Sequence, residues 1–276
     1  NDLLLAGRLV SILASIGSLW MTYWLARIIF DHEREAIWAT LFLALSPLLN
    51  QWSLRVMTDS LFLFMFLICC YQYFSLLNQP QRSPVGFLGW IGLAVLVRYQ
   101  GLFFLPFAMY LLWHRRKWFW ETGLLRQALL WMISLLPWIG VIGWISIRGF
   151  GHTQQFIERG SYGFWTTLSL YFSMFETFIL YWPWTVTYGI FVCGLVGIVQ
   201  LWHGKDHNRV FLYFFLIAAL IFLLVQSAFL SFQYRYLLPL LPLWCIAAAR
   251  GWCRLRAGMP NRKLRSIMES FVILNL

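Results

Sequence analysis

Apolar stretches of a dozen to almost thirty residues, parted by short charged or turn-forming breaks, set the pattern of this chain. A helix that crosses a bilayer needs about 20 mostly apolar residues. Nine segments approach that pattern: Leu3–Ile29, Ala36–Leu49, Ser60–Leu77, Gly86–Val97, Leu102–Trp113, Leu125–Ile147, Thr185–Trp202, Val210–Ser227 and Leu237–Ala249. The three that begin at Ala36, Gly86 and Leu102 are short for a full crossing. Trp165–Trp182 is apolar too, but so aromatic that it reads either as a tenth span or as a helix lying at the interface. No internal repeat or low-complexity linker divides residues 1–276, so the expected fold is one all-α transmembrane helical bundle.

Composition agrees with the pattern. Hydrophobic residues make up 61% of the chain, charged residues 11%, and the mean hydropathy is +0.70. A soluble domain carries about 25% charged residues, so a water-coated globule is excluded. The 17 Trp, 12 Tyr and 25 Phe suit the two interfaces of a bilayer. The net charge of +11 comes without a nucleic-acid motif or a single basic face, and points to lipid head groups as the phosphates nearby. The five cysteines show no CxxC or Cys/His spacing, so neither a disulfide framework nor structural zinc is expected. The chain starts at Asn1 inside an apolar run, and the tail from Ser266 to Leu276 is turning apolar where it stops. Both ends read as cuts in a longer protein, with one span expected before Asn1.

The bases orient the bundle. With the first helix ending in the cytoplasm and the spans alternating, fifteen of the 21 Lys and Arg fall on the cytoplasmic side. Arg8, Arg55, Arg98, Arg148, Arg159 and Arg235 fall on the other, as the positive-inside rule requires. A crossing at Trp165–Trp182 would reverse everything after it and invert the bias. That segment is therefore expected on the outer face, parallel to the membrane.

The candidate chemistry gathers on the same outer face. All six of its bases are Arg, whose planar fork of donors matches phosphate oxygens. An Arg held at bilayer depth costs about 2.5–3.5 kcal/mol on insertion scales, which asks for an anionic partner or for snorkelling to ordinary head groups. Asp59 opens the third span in Arg55-Val56-Met57-Thr58-Asp59-Ser60. It either supports the helix N-terminus or faces an outer cavity, pairing Arg55 or orienting a hydroxyl acceptor. Arg98-Tyr99-Gln100-Gly101 and Gln233-Tyr234-Arg235-Tyr236 open two further polar clusters there. Tyr and Gln can hydrogen-bond sugar hydroxyls, and the alternative is an aromatic belt. His203 and His207 read as a solvated turn, and His152 is the one outer-face histidine. No nucleophile set, phosphate loop or dinucleotide fingerprint appears. No Asp or Glu sits mid-span, which argues against an ion-coupled transporter.

At these residues the chain resembles the membrane glycosyltransferases of the C-type fold, in particular the dolichyl-phosphate-mannose protein mannosyltransferases and the aminoarabinose transferases. The resemblance is carried in order by Ala6-Gly7-Arg8-Leu9-Val10-Ser11, Leu45-Ser46-Pro47, Arg55–Leu61, Val97–Gly101 and Arg235–Pro242. It implies a polyprenyl-phosphate sugar donor and transfer, with inversion, to a lipid, glycan or protein hydroxyl on the periplasmic or lumenal face. It also implies a general-base carboxylate in the first outer loop, arginines on the departing phosphate, and a divalent metal in some members but not in others. The stretch that would carry the catalytic base is expected before Asn1, since Asp2 lies too close to its helix to replace it. Arg8, Arg55, Asp59, Arg98, Tyr99, Gln100, Tyr234 and Arg235 are the expected donor or acceptor contacts, with membrane lipids as partners and no nucleic acid. The competing reading is a polyprenyl-lipid or glycan translocator, or a non-catalytic membrane scaffold.

Overall fold

The apolar runs become helices separated where the sequence forbids helix. The computed structural model describes residues 2–56, 58–79, 82–114, 140, 164–204, 206–227, 234–259 and 270, and every regular element among them is helical. In chain order these are α1 (Asp2–Phe30), α2 (Glu33–Ala44), α3 (Pro47–Ser53), α4 (Thr58–Asn78), α5 (Val85–Val97), a 3-10 helix (Tyr99–Phe104) and α6 (Leu105–His114). After the gap come α7 (Phe164–Val186), α8 (Tyr188–Trp202), α9 (Asp206–Ser227), a second 3-10 helix (Tyr234–Leu237) and α10 (Leu240–Gly258). The expected span Leu125–Ile147, apart from Gly140, lies outside the described residues, as do Arg148, His152, Arg159 and nearly all of the C-terminal tail.

The chain is a multi-pass membrane protein, though its helices are less uniform than nine full spans. Among the described residues, α1 and α4 are each long and apolar enough to cross a bilayer alone, and a third crossing exists if the bent pair at the α7–α8 junction counts as one. The segment from Ala36 divides in two because Ser46 is extended (φ −67°, ψ 126°) and Pro47 takes the first helical position of α3. α5 stops at Val97 because Arg98 is extended (φ −153°, ψ 134°), and the chain resumes as the 3-10 turn.

Small residues bring the helices together. α1 packs on α4 and α2 with a buried stripe of Ser11, Ser15, Ser18 and Thr22. Their hydroxyls donate to the carbonyls four residues back, at 2.8 Å for Ser15, Ser18 and Thr22 and 3.2 Å for Ser11, which removes the cost of burying them. The opposite face of α1, with Leu9, Leu13, Ile16 and Trp20, is exposed as a lipid-facing surface would be. α10 is the most enclosed helix, every residue from Leu240 to Ala249 being buried. It meets α8 through glycines: a Cβ on Gly197 would stand 1.8 Å from the Ala247 carbonyl oxygen, and one on Gly251 2.0 Å from that of Cys193. The five cysteines are free, four of them buried.

Two groups of contacts define the ends of the bundle. The last turns of α1, α4, α8 and α10 and the first turn of α9 surround one cavity. Glu35 at the start of α2 accepts a 2.5 Å hydrogen bond from Arg250 Nη1, whose guanidinium also lies 5.4 Å from the Phe30 ring. This end also holds Arg27, Arg34, Arg82, Arg209, Arg254 and Arg256, and is the basic end. α1 and α8 thus both end at this basic end of the bundle. Between Leu180–Val186, the last turns of α7, and Tyr188–Trp202 the axis turns by 109°. The turn is made at Thr187, a non-glycine residue with φ 68°.

Candidate functional site

The end away from the basic cavity holds four helix termini and the two 3-10 turns. The first turns of α1 contact the α3–α4 turn so closely that a Cβ on Gly7 would lie 2.3 Å from Val56 Cγ1. Ser60 Oγ donates to the Trp52 carbonyl at 3.1 Å and pins the start of α4 to the end of α3. Asp59 therefore sits in the first turn of α4, where a carboxylate complements the helix dipole.

Arg98 meets it from α5. Leaving the helix in an extended conformation, Arg98 keeps its N–H on Ala94 O at 2.9 Å and accepts from the Gly101 N–H at 2.9 Å. Its Nη1 donates to Asp59 Oδ1 in a short ion pair, with the two side chains 13% and 4% exposed. Two turns further along α4 an aromatic cluster begins: Phe66 lies 5.6 Å from Phe103, 5.0 Å from Phe104 and 5.8 Å from Phe222. These rings join α4, the 3-10 turn and α9. Gly101 completes the turn, since a Cβ there would stand 2.6 Å from Val95 N and 2.8 Å from Ala94 C. Both are backbone atoms that cannot rotate away. Gly101→Ala is expected to destabilise the protein by about 1–3 kcal/mol and to displace Arg98; a thermal unfolding curve in detergent with an unchanged midpoint would contradict this.

The other expected contacts are distributed around this pair. Arg55 does not pair with Asp59; it is exposed, with its guanidinium 4.5 Å above the Trp52 ring. Arg55 lies in the turn just past α3, where its N–H donates to the Trp52 carbonyl at 3.3 Å and so folds its side chain back over that ring. Arg8 is exposed on the first turns of α1, beside Gly7. Gln100 is buried at 6% exposure in the 3-10 turn that Tyr99 opens. Tyr234 and Arg235 lie in the second 3-10 helix, Arg235 half-buried, immediately ahead of α10. The structure thus joins Asp59 with Arg98 and puts Arg8 and Arg55 at the same end, without drawing all the arginines into one contact set. Sequence reasoning missed Ser46, fully buried, whose hydroxyl donates to the Thr185 carbonyl at 3.3 Å and ties the α2–α3 break to the end of α7. Trp52 Nε1 is buried with no acceptor among the described residues.

A metal finds no ready site among the described residues, where no group of three or more His, Cys, Asp or Glu comes together. His203 Nδ1 lies 2.9 Å from the Val199 carbonyl in a helix-end turn, as expected of a solvated loop. What the site can do chemically is present guanidinium donors, one of them anchored on a buried carboxylate, at the end of a membrane bundle.

No curated protein and no solved structure matches the chain significantly. A protein-family model does: the one described as dolichyl-phosphate-mannose-protein mannosyltransferase matches residues 1–141, a stretch that contains Arg8, Arg55, Asp59 and Arg98. With half the chain matched, and with an all-helical membrane bundle around these residues, the chain belongs to the dolichyl-phosphate-mannose-protein mannosyltransferase family of membrane glycosyltransferases.

Proposed function

We propose that this protein transfers a sugar from a polyprenyl-phosphate donor to a hydroxyl of a lipid, glycan or protein, with inversion, on the extracytoplasmic face of the membrane. The observation that carries this reading is the enclosed Asp59–Arg98 pair within the family-matched region. In such a transfer the acceptor oxygen bonds to the anomeric carbon, the bond from that carbon to the phosphate oxygen breaks, and the electron pair leaves on the phosphate. A guanidinium already held in place stabilises that growing charge without having to reorganise. Arg98 has this role, and Asp59 holds Arg98 in position rather than taking the acceptor's proton. Arg235, Arg55 and Arg8 supply further cationic contacts to the donor phosphate, and Tyr99, Gln100 and Tyr234 supply hydrogen bonds to hydroxyls. The acidic residue that takes the acceptor's proton is not among these.

The test is to reconstitute the full-length protein in lipid nanodiscs with a panel of polyprenyl-phosphate sugars carrying a labelled sugar. The expected result is a labelled glycoside of inverted configuration together with free polyprenyl phosphate. Movement of intact donor across a vesicle membrane, with no sugar transferred to any acceptor, would overturn the transferase reading in favour of a translocator.

A further inference from the structure

A cavity of about 780 Å³ lies at the basic end, away from the Asp59–Arg98 pair. Its polar lining comes from five helices: Arg27 of α1, Asn78 of α4, Gln200 of α8, Asn208 of α9, and Arg250 and Arg254 of α10. Arg250 and Arg254 are one helical turn apart and so share a face. Arg250 is engaged by Glu35. Arg27 and Arg254 have no ion-pair partner among the described residues, although Asp31 also lines the cavity. Two uncompensated guanidinium groups, beside amides that can donate as well, form a receptor for phosphate oxygens.

Depth selects the source of that phosphate. Trp24, one turn before Arg27, is 41% exposed, and Trp202, which ends α8, is 56% exposed. Exposed tryptophans on a membrane bundle sit at head-group level, so the mouth of the cavity opens where lipid phosphates are. A basic pocket between helix ends at this level is suited to an anionic head group. We propose that this cavity binds the phosphate of an anionic bilayer lipid through Arg27 and Arg254, at a site separate from the one assigned to sugar transfer.

The experiment uses the full-length protein, delipidated in detergent, and native mass spectrometry with increasing phosphatidylglycerol or phosphatidylcholine; thermal unfolding is followed in parallel, with inorganic phosphate as a further arm. Phosphatidylglycerol should be retained and should raise the unfolding midpoint, while phosphatidylcholine and phosphate should not. Arg27→Gln and Arg254→Gln should each weaken phosphatidylglycerol binding roughly fivefold, the scale of one basic side chain at a membrane surface. Arg34→Gln, a base lost from the same end but outside this cavity, should leave it unchanged, and the lipid-free unfolding midpoints of all three variants should match that of the parent. Equal retention of phosphatidylglycerol by the parent, Arg27→Gln and Arg254→Gln would overturn the proposal. So would an equal effect of inorganic phosphate alone, which would mean a soluble anion and not a lipid occupies the cavity.

Discussion

Asp59→Ala should destabilise the folded protein by about 3–5 kcal/mol, because it leaves the Arg98 guanidinium enclosed without its counter-charge. At 4% exposure Asp59 stands out of reach of bulk water, which therefore does not replace the lost counter-charge. Removing both charges should cost less than the two single changes added together, since the double variant buries no unmatched ion. The measurement is a double-mutant cycle on Asp59→Ala and Arg98→Ala, by unfolding in mixed detergent. Simple additivity would show that the ion pair is incidental. The same variants separate stability from reaction. If Arg98 carries charge onto the leaving phosphate, Arg98→Ala in protein that is still folded should lower turnover by about 10²–10³. Arg98→Lys should recover only part of it, since an ammonium cannot hold Asp59 and a phosphate through one planar fork. Undiminished turnover in Arg98→Ala would remove the residue from the mechanism.

Gly197→Val and Gly251→Val are each expected to cost about 3 kcal/mol or more, at the upper end for overpacked cores. At both positions the obstacle is a carbonyl oxygen of the facing helix, within 2.0 Å of where a Cβ would be built. A backbone atom has no rotamer to escape into, so the added side chain must push α8 and α10 apart. These two helices carry the second 3-10 turn and one side of the basic cavity. Separation should therefore disturb both ends of the bundle. Gly89 is the matched control: a Cβ there meets nothing within 4 Å, and Gly89→Ala should stabilise α5 by up to about 1 kcal/mol through helix propensity. Unfolding midpoints in detergent decide the matter, and a parent-like midpoint for Gly251→Val would mean that α8 and α10 are not packed this closely.

The positions of the helices were readable from the sequence because hydropathy reports the solvent each residue meets. α1 and α4 lie within two residues of the apolar runs that announced them. The break at Arg98–Gly101 falls where an interrupting polar cluster placed it, whereas the apolar run Ala36–Leu49 reads straight across the break that Pro47 makes. The partners of the charges were not readable. Asp59 stands four residues from Arg55, the obvious neighbour along the chain, yet it pairs with Arg98, and Glu35 pairs with Arg250, 215 residues away. Membrane helices are apolar on nearly every face, so hydropathy shows which helices exist without showing which faces meet. The close crossing of α8 and α10 at Gly194, Gly197 and Gly251 went unread in the sequence, and only three-dimensional packing shows it.

The shortness of α5 reaches beyond the protein. Its 13 residues rise about 20 Å, against a hydrocarbon layer of about 30 Å, and any tilt shortens that reach further. Leu93 and Leu96 are exposed on it among the described residues, as lipid-facing side chains would be. Lipids there face a hydrophobic mismatch, which a bilayer meets by thinning locally. Thinning beside α5 would bring the head-group phosphates of the leaflet nearer to the level of Arg98, where the helix ends.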